Sequence, residues 1–279
     1  MGDQQPAGQQ APARAERDTQ TLIDAANHLA IRVLSYNIFM GADLQGVARV
    51  LDSWPADIIC LQEAVVEHAA TDPPDQVAWL AKRLDMQYVF TPVFSMTDHV
   101  RDCPIEQIGW AGLAIMSRWQ IRQPRYLKLR GLPPFSLVAE LCCGRATLTI
   151  ANVHLAAVPH PILLGYWPRL IHHRRQIAAL LEHLSPQSEP TIIAGDFNTL
   201  WLAPAMRLLA RRLHHCRRTA RTPWRGTRRT LGIPMEIDHI FVSNHFRILG
   251  AETVSASASD HRPVFAALAL DIPAGQKDG

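Results

Sequence analysis

Between residues 88 and 155, five strand-like runs follow one another with no helical spacing between them: Tyr88–Phe94, Gly112–Met116, Tyr126–Leu129, Ser136–Leu141 and Arg145–Leu155. Consecutive strands without an intervening helix favour antiparallel pairing. The block is flanked by stretches in which strands and helices alternate. Upstream, Ile31–Ile38 and Asp57–Leu61 are short apolar runs of the kind that form buried strands. Leu44, Val47, Ala48 and Leu51 fall at helical spacing, and Val77, Leu80, Ala81 and Leu84 repeat it. Downstream, Leu170, Ile177, Leu181 and Leu184 mark a third helix, stopped by Ser185-Pro186. Thr191–Ala194 is a strand, a short helix begins near Ala203-Pro204, and the last strands are Ile237–Val242, Phe246–Val254 and Val264–Leu270. The pattern predicts an α/β fold: a mixed sheet, or two sheets, with helices outside.

A chain of 279 residues, 48% hydrophobic and 19% charged, is large enough to bury a proper core. No internal repeat or linker interrupts residues 30–270, so one domain is expected over 29–272. It is preceded by a disordered tail rich in Gln, Ala and Pro (1–28) and followed by a short tail (273–279). No apolar run approaches the length of a transmembrane helix, and residues 1–20 lack the apolar core of a secretory signal. The five cysteines, Cys60, Cys103, Cys142, Cys143 and Cys216, are odd in number and show no CxxC spacing. That argues against a disulfide framework or a cysteine zinc site and for a reducing compartment, so a cytoplasmic monomer is expected.

The net charge of +3 conceals an asymmetry. Residues 203–235 hold nine arginines and no acidic residue, which leaves the remainder of the chain net negative. A basic segment on an acidic body suggests an anion site. Polar residues recur where strands end or begin: Asn37, Gln62-Glu63, Asn152 with His154, Asp196 with Asn198, Asp238-His239 and Asp260-His261. Each alone has an ordinary explanation as a turn, cap or satisfied polar residue. As a set they describe something more specific. Carboxylate and amide oxygens are hard ligands that select magnesium or manganese over zinc. An imidazole beside a carboxylate can polarise a phosphoryl oxygen or move a proton near neutrality. Together they make a reasonable phosphate-ester site. No GxSxG elbow, P-loop or GxGxxG fingerprint offers another chemistry.

The ordered series SYNI (35–38), LQE (61–63), GLAIMSR (112–118), NVHL (152–155), GDFN (195–198), IDHIF (237–241) and SDHRPV (259–264) resembles the endonuclease/exonuclease/phosphatase, or DNase I-like, superfamily. The resemblance spans about residues 31–270. It implies a four-layer α/β sandwich, with two mixed, mostly antiparallel sheets face to face and helices outside. It also implies a metal-dependent phosphoric ester hydrolase using Mg2+, with Mn2+ as a substitute. Carried over motif by motif, Glu63 would be the main metal ligand, Asn37 would stand close by and Asp260 would lie at the metal edge. Asp196 would activate or orient the attacking water and Asn198 would hold the phosphate. Asp238 would orient His261 against a phosphoryl oxygen, and His154 would be a second imidazole on the phosphate, a feature that argues against the apurinic-endonuclease branch.

Two segments bear on the substrate. Arg207 and Arg211 fit the exposed face of a helix, whereas Arg217 to Arg229 lack helical spacing and enclose Trp224, as substrate contacts would. From that stretch Arg221, Trp224 and Arg225 are the expected contacts. The apolar, Pro-rich segment 156–168 reads as a loop whose Tyr166 and Trp167 reach substrate. The leading expectation is a nuclease acting on a phosphodiester. The alternatives are a phospholipid or sphingomyelin head-group phosphodiesterase or phosphoinositide phosphatase with peripheral membrane contact, and a catalytically silent binding module.

Overall fold

A computed structural model describes residues 28–68, 71–95, 109–129, 132–156, 166–221, 225–230 and 233–272. The tails, Trp224, Cys103 and residues 157–165 lie outside this set, as do the side chains of Tyr166 and Trp167.

Two six-stranded sheets carry the architecture. The first runs β13(Phe246–Thr253), β14(Val264–Asp271), β1(His28–Asn37), β2(Ile58–Val66), β4(Trp110–Ser117), β3(Gln87–Ser95). The second runs β5(Gln120–Lys128), β6(Pro134–Cys143), β7(Ala146–His154), β8(Thr191–Asp196), β12(Asp238–Val242), β9(His214–His215). Each sheet contains one parallel pair, β1 with β2 and β7 with β8, and is otherwise antiparallel. A small hairpin joins β10(Arg228–Thr230) to β11(Ile233–Met235).

Side-chain alternation explains the layering. On β1 and β2, Val33, Ile58 and Cys60 face one way, into a cluster with Leu137, Ala139, Ile150, Ile192 and Ile240 of the second sheet. Their neighbours Leu34, Tyr36, Ile59 and Leu61 face the other way, onto α1(Leu44–Ser53) and α2(Gln76–Leu84) through Val47, Leu51, Val77 and Leu80. The outer face of the second sheet packs Val138, Val153, Ile193 and Phe241 against α3(Tyr166–His183) and α4(Pro204–Ala210) through Ile177, Leu181, Met206 and Leu209. Both faces of each sheet are therefore covered, which is why the central strands read as continuous apolar runs. This is the four-layer sandwich that the motifs imply.

Three local readings need correction. The second strand does not end at Leu61 but continues to Val66 through a bulge between Leu61 and Ala64. The fifth strand runs over Gln120–Lys128 rather than Tyr126–Leu129, because it is an exposed edge whose polar side chains carry no apolar signal. Tyr166 and Trp167 begin α3 instead of lying in a loop, with Pro168 in the first turn, where its missing N–H costs nothing. A fifth short helix, α5(Cys216–Thr219), occupies part of the arginine stretch.

Candidate active site

The polar residues singled out in the sequence meet at one end of the sandwich, where both parallel strand pairs terminate. Asn37 is the last residue of β1, His154 the last of β7 and Asp196 the last of β8, while Asp238 opens β12. His154 and Asp196 are register partners, as are Asp238 and Asp196. Glu63 is delivered differently. Gln62 and Glu63 form the bulge of β2, and Glu63 sits at φ 54, a left-handed conformation rare for a residue with a side chain. The bulge interrupts ladder pairing, and Asn152 reaches across from the second sheet to compensate. Its Nδ2 donates to Leu61 O (2.7 Å) and Ala114 O (2.8 Å), and its Oδ1 accepts from Gln62 Nε2 (2.7 Å). Asn152 is thus a buried clasp between sheets, satisfied on both ends of its amide.

Asp196 Oδ2 is the meeting point. Asn37 Nδ2 donates to it at 3.2 Å and to Glu63 Oε1 at 2.9 Å. The same oxygen lies 3.4 Å from Asn198 Nδ2, 3.6 Å from His154 Nε2 and 3.7 Å from His261 Nε2. Its partner Oδ1 accepts the Asn198 backbone N–H at 2.8 Å. Asn198 Nδ2 also donates to Leu155 O, and Asn198 itself has φ 46. Burial and the nearby charge of Asp238 raise the Asp196 pKa, against the opposing pull of His261 and His154. On the far side of His261, Nδ1 faces Asp238 Oδ2 at 2.9 Å. Burial alone would lower the His261 pKa, but Asp238, with Asp196 and Asp260, outweighs it and raises the value to about 9. His261 is held from behind as well. Ser259 Oγ accepts the His261 N–H and donates to Asn37 O, so β1 and the SDH turn are tied together.

A cavity of about 290 Å³ opens over this cluster, lined by Glu63, His154, Asp196 and Asn198 and also by Arg228. Sequence reasoning placed Arg228 in the basic stretch without assigning it to the site. It stands on β10, bridges the backbone of His261, and its guanidinium pairs with Asp260 at 2.8 Å. Thr227 next to it accepts the N–H groups of Ile237 and Asp238 on its hydroxyl and that of Arg262 on its carbonyl. The hairpin is thereby stitched to both the IDHIF and SDH motifs. The signal available was position: Arg228 falls between the GDFN and IDHIF motifs.

The rest of the arginine stretch divides. Arg207 and Arg211 are exposed, as helix spacing suggests. Arg217 is no substrate contact, contrary to the reading of 217–229 as a block. It is buried, and its guanidinium forms two hydrogen bonds to the Glu236 carboxylate. Arg218 lies over the Trp201 ring, 4.2 Å from its centroid. Arg221 and Arg225 are exposed, as substrate contacts would be.

Behind the GDFN turn lies a second polar cluster. His239 Nε2 lies 3.5 Å from Thr199 O, which can only accept. His239 Nδ1 therefore accepts from His215 Nε2 (3.0 Å), and His215 Nδ1 accepts the Arg218 N–H (3.3 Å). His215, Glu236 and His239 bring ligand-type atoms within 4.8 Å of one another. With Glu236 taken by Arg217 and the ring nitrogens paired, the trio is an internal hydrogen-bond network rather than a metal centre. Burial, with charge from His239 and the arginines, lowers the His215 pKa to about 2, and burial likewise lowers that of His239. A histidine whose folded pKa is depressed stabilises the fold above its unfolded pKa, near 6.5, and loses that contribution as pH falls. Between pH 7.5 and pH 5, His215 alone withdraws about 2 kcal/mol at 1.36 kcal/mol per unit below 6.5. Urea titrations should show that fall, and His215→Phe should flatten the slope by about one proton. An unchanged slope would place the acid-sensitive group elsewhere.

Residues 34–261 match the family model for the Endonuclease/Exonuclease/phosphatase family. The chain belongs to that family. Its members are hydrolases acting on phosphate esters, commonly with a divalent metal. A UPF0294 protein of Vibrio vulnificus (strain CMCP6) is 30% identical over 260 residues, covering 91% of this chain and 82% of the relative. Among solved structures, an endonuclease/exonuclease/phosphatase from Beutenbergia cavernae superimposes with a TM-score of 0.69 at 20% identity, over 87% of this chain and 72% of that one. The human Nocturnin catalytic domain with bound sulfate superimposes with a TM-score of 0.68 at 21% identity, over 86% of this chain and 93% of that one. These two likenesses concern the fold.

Proposed function

We propose that the protein is a magnesium-dependent phosphodiesterase of nuclease type that hydrolyses its substrate by in-line attack of water. The observation that carries this reading is the convergence on Asp196 Oδ2 of an amide, two imidazoles and, through Asn37, the Glu63 carboxylate. Asp196, with its pKa raised toward neutrality by burial and Asp238, suits a base that orients water and accepts its proton. His261, held cationic by Asp238, offers Nε2 to a non-bridging phosphoryl oxygen, and His154 offers a second imidazole beside it. Asn198 presents its amide to the phosphate. Preorganised charge of this kind is usually the largest catalytic contribution.

The donor set fits a hard cation. Glu63 supplies a half-buried carboxylate, and Asn37 supplies an amide oxygen whose present partner is only the Phe39 N–H. Buried Asp196 and Asp238 add negative charge that a cation would offset. Glu63 and Asn37 would hold the ion. Asp260 is paired with Arg228, so a place for it at the metal edge competes with that ion pair. A bound divalent ion supplies positive charge against the phosphoryl oxygens and the leaving group.

The basic segment that brings Arg228 into the cavity favours nucleic acid over an uncharged partner. The head-group alternative draws on the apolar wall of the same cavity. Bis(4-nitrophenyl) phosphate hydrolysis with Mg2+ or Mn2+ tests the reaction class. Chelator should abolish it, and Glu63→Gln should raise the metal concentration for half-maximal activity at least tenfold. Activity indifferent to chelator would end the metal reading. Plasmid nicking against head-group release from liposomes separates the two substrates, and nicking that falls steeply with salt supports the first.

A further inference from the structure

The catalytic cluster fills only one side of the cavity. The opposite wall is apolar, built by Val93 and Phe94 at the end of β3 and by Pro133 and Phe135 around the start of β6. Into that wall α3 sets two polar side chains, His172 and Gln176. Gln176 is 2% exposed, and its buried Oε1 has no hydrogen-bond partner. A buried acceptor left unpaired costs free energy, and native structures seldom carry one without a reason.

We infer that this wall seats an unpaired nucleobase of the substrate, with Gln176 Oε1 accepting from an exocyclic amine on its edge. The inference rests on the phosphodiesterase reading above and names the class of group joined to the phosphorus. Three observations select a base. The wall is continuous with the phosphoryl cluster, so its occupant is covalently attached to the phosphate bound there. It is apolar and partly aromatic, which suits a flat π-face. It ends in an unpaired amide, which a base edge satisfies and an acyl chain does not. A volume of about 290 Å³ is at the small end for a ligand site, so it holds one nucleoside rather than a length of duplex. The substrate is accordingly a single-stranded end or a small nucleotide ester.

Competition against bis(4-nitrophenyl) phosphate hydrolysis tests this, with AMP, ribose 5-phosphate and a short-chain phosphatidic acid as competitors. AMP should inhibit at least tenfold more tightly than ribose 5-phosphate. Gln176→Leu, nearly isosteric, should reduce that advantage at least threefold. Calorimetric titration of AMP and ribose 5-phosphate gives the same ratio without turnover. Equal affinity for AMP and ribose 5-phosphate with aryl hydrolysis intact overturns the base site and leaves the phosphodiesterase reading standing. Phosphatidic acid outcompeting AMP overturns it in favour of lipid. Base-selective binding in a protein that hydrolyses nothing leaves the base site standing and overturns the reaction.

Discussion

Asp196→Asn should lower phosphodiesterase kcat about a thousandfold, with His261→Asn close behind, within the range for removing a general base or a charge-stabilising donor. The two side chains face each other across 3.7 Å, so they act on one reacting group and their losses should not add. The double variant should be no more than a few-fold slower than the worse single one. Asp238→Asn should lose about a hundredfold, since the ring of His261 keeps its place but loses the carboxylate that favours its cationic form. Stability separates a chemical role from a structural one. Burial and Asp238 raise the Asp196 pKa, so its ionised form is disfavoured by folding without metal. Metal-free Asp196→Asn should therefore unfold at a urea midpoint equal to or above that of the wild type. Both single variants retaining wild-type turnover would refute the site.

The second large effect is on stability. Arg217 and Glu236 are both buried, with side chains 7% and 5% exposed. Removing either leaves an uncompensated charge in the interior, so Arg217→Met or Glu236→Leu should each cost about 3–5 kcal/mol. Replacing both should restore most of the loss, because the apolar pair carries no desolvation penalty. Urea unfolding of the three variants closes the cycle. The pair ties α5 to the residue two before Asp238, so activity at fixed temperature should follow the fraction folded. Single variants within 1 kcal/mol of wild type would mean that water reaches the pair.

Much of this was legible because chemistry and geometry coincide at strand ends. Asn37, His154, Asp196, Asp238 and His261 could be ordered along the chain, and parallel strands that terminate together bring such residues together. Glu63 was recognisable by motif but not by mechanism. Nothing in LQEAVV announces a bulge, which depends on a partner strand and on Asn152 in the other sheet. The arginine stretch misled for a similar reason. Composition counts charges but does not show which are neutralised inside, so buried Arg217 and cavity-lining Arg228 looked alike. Edge strand β5 was cut short because the pattern that reveals a strand is burial, and an edge has little of it. The apolar wall was invisible, since Phe94, Phe135 and Gln176 come from three elements with no shared motif.

The first sheet places the strands nearest both chain ends side by side, β1 against β14, while the second sheet is made wholly from the middle. His261 and Asp260 precede β14 by a few residues, so the pocket lacks its imidazolium until the final strand docks. During synthesis, a nascent polypeptide carries Glu63, His154 and Asp196 for most of its elongation without being able to cut anything. Hydrolytic competence arrives as the last act of folding, and a message truncated before residue 261 yields an inert product rather than an unregulated one.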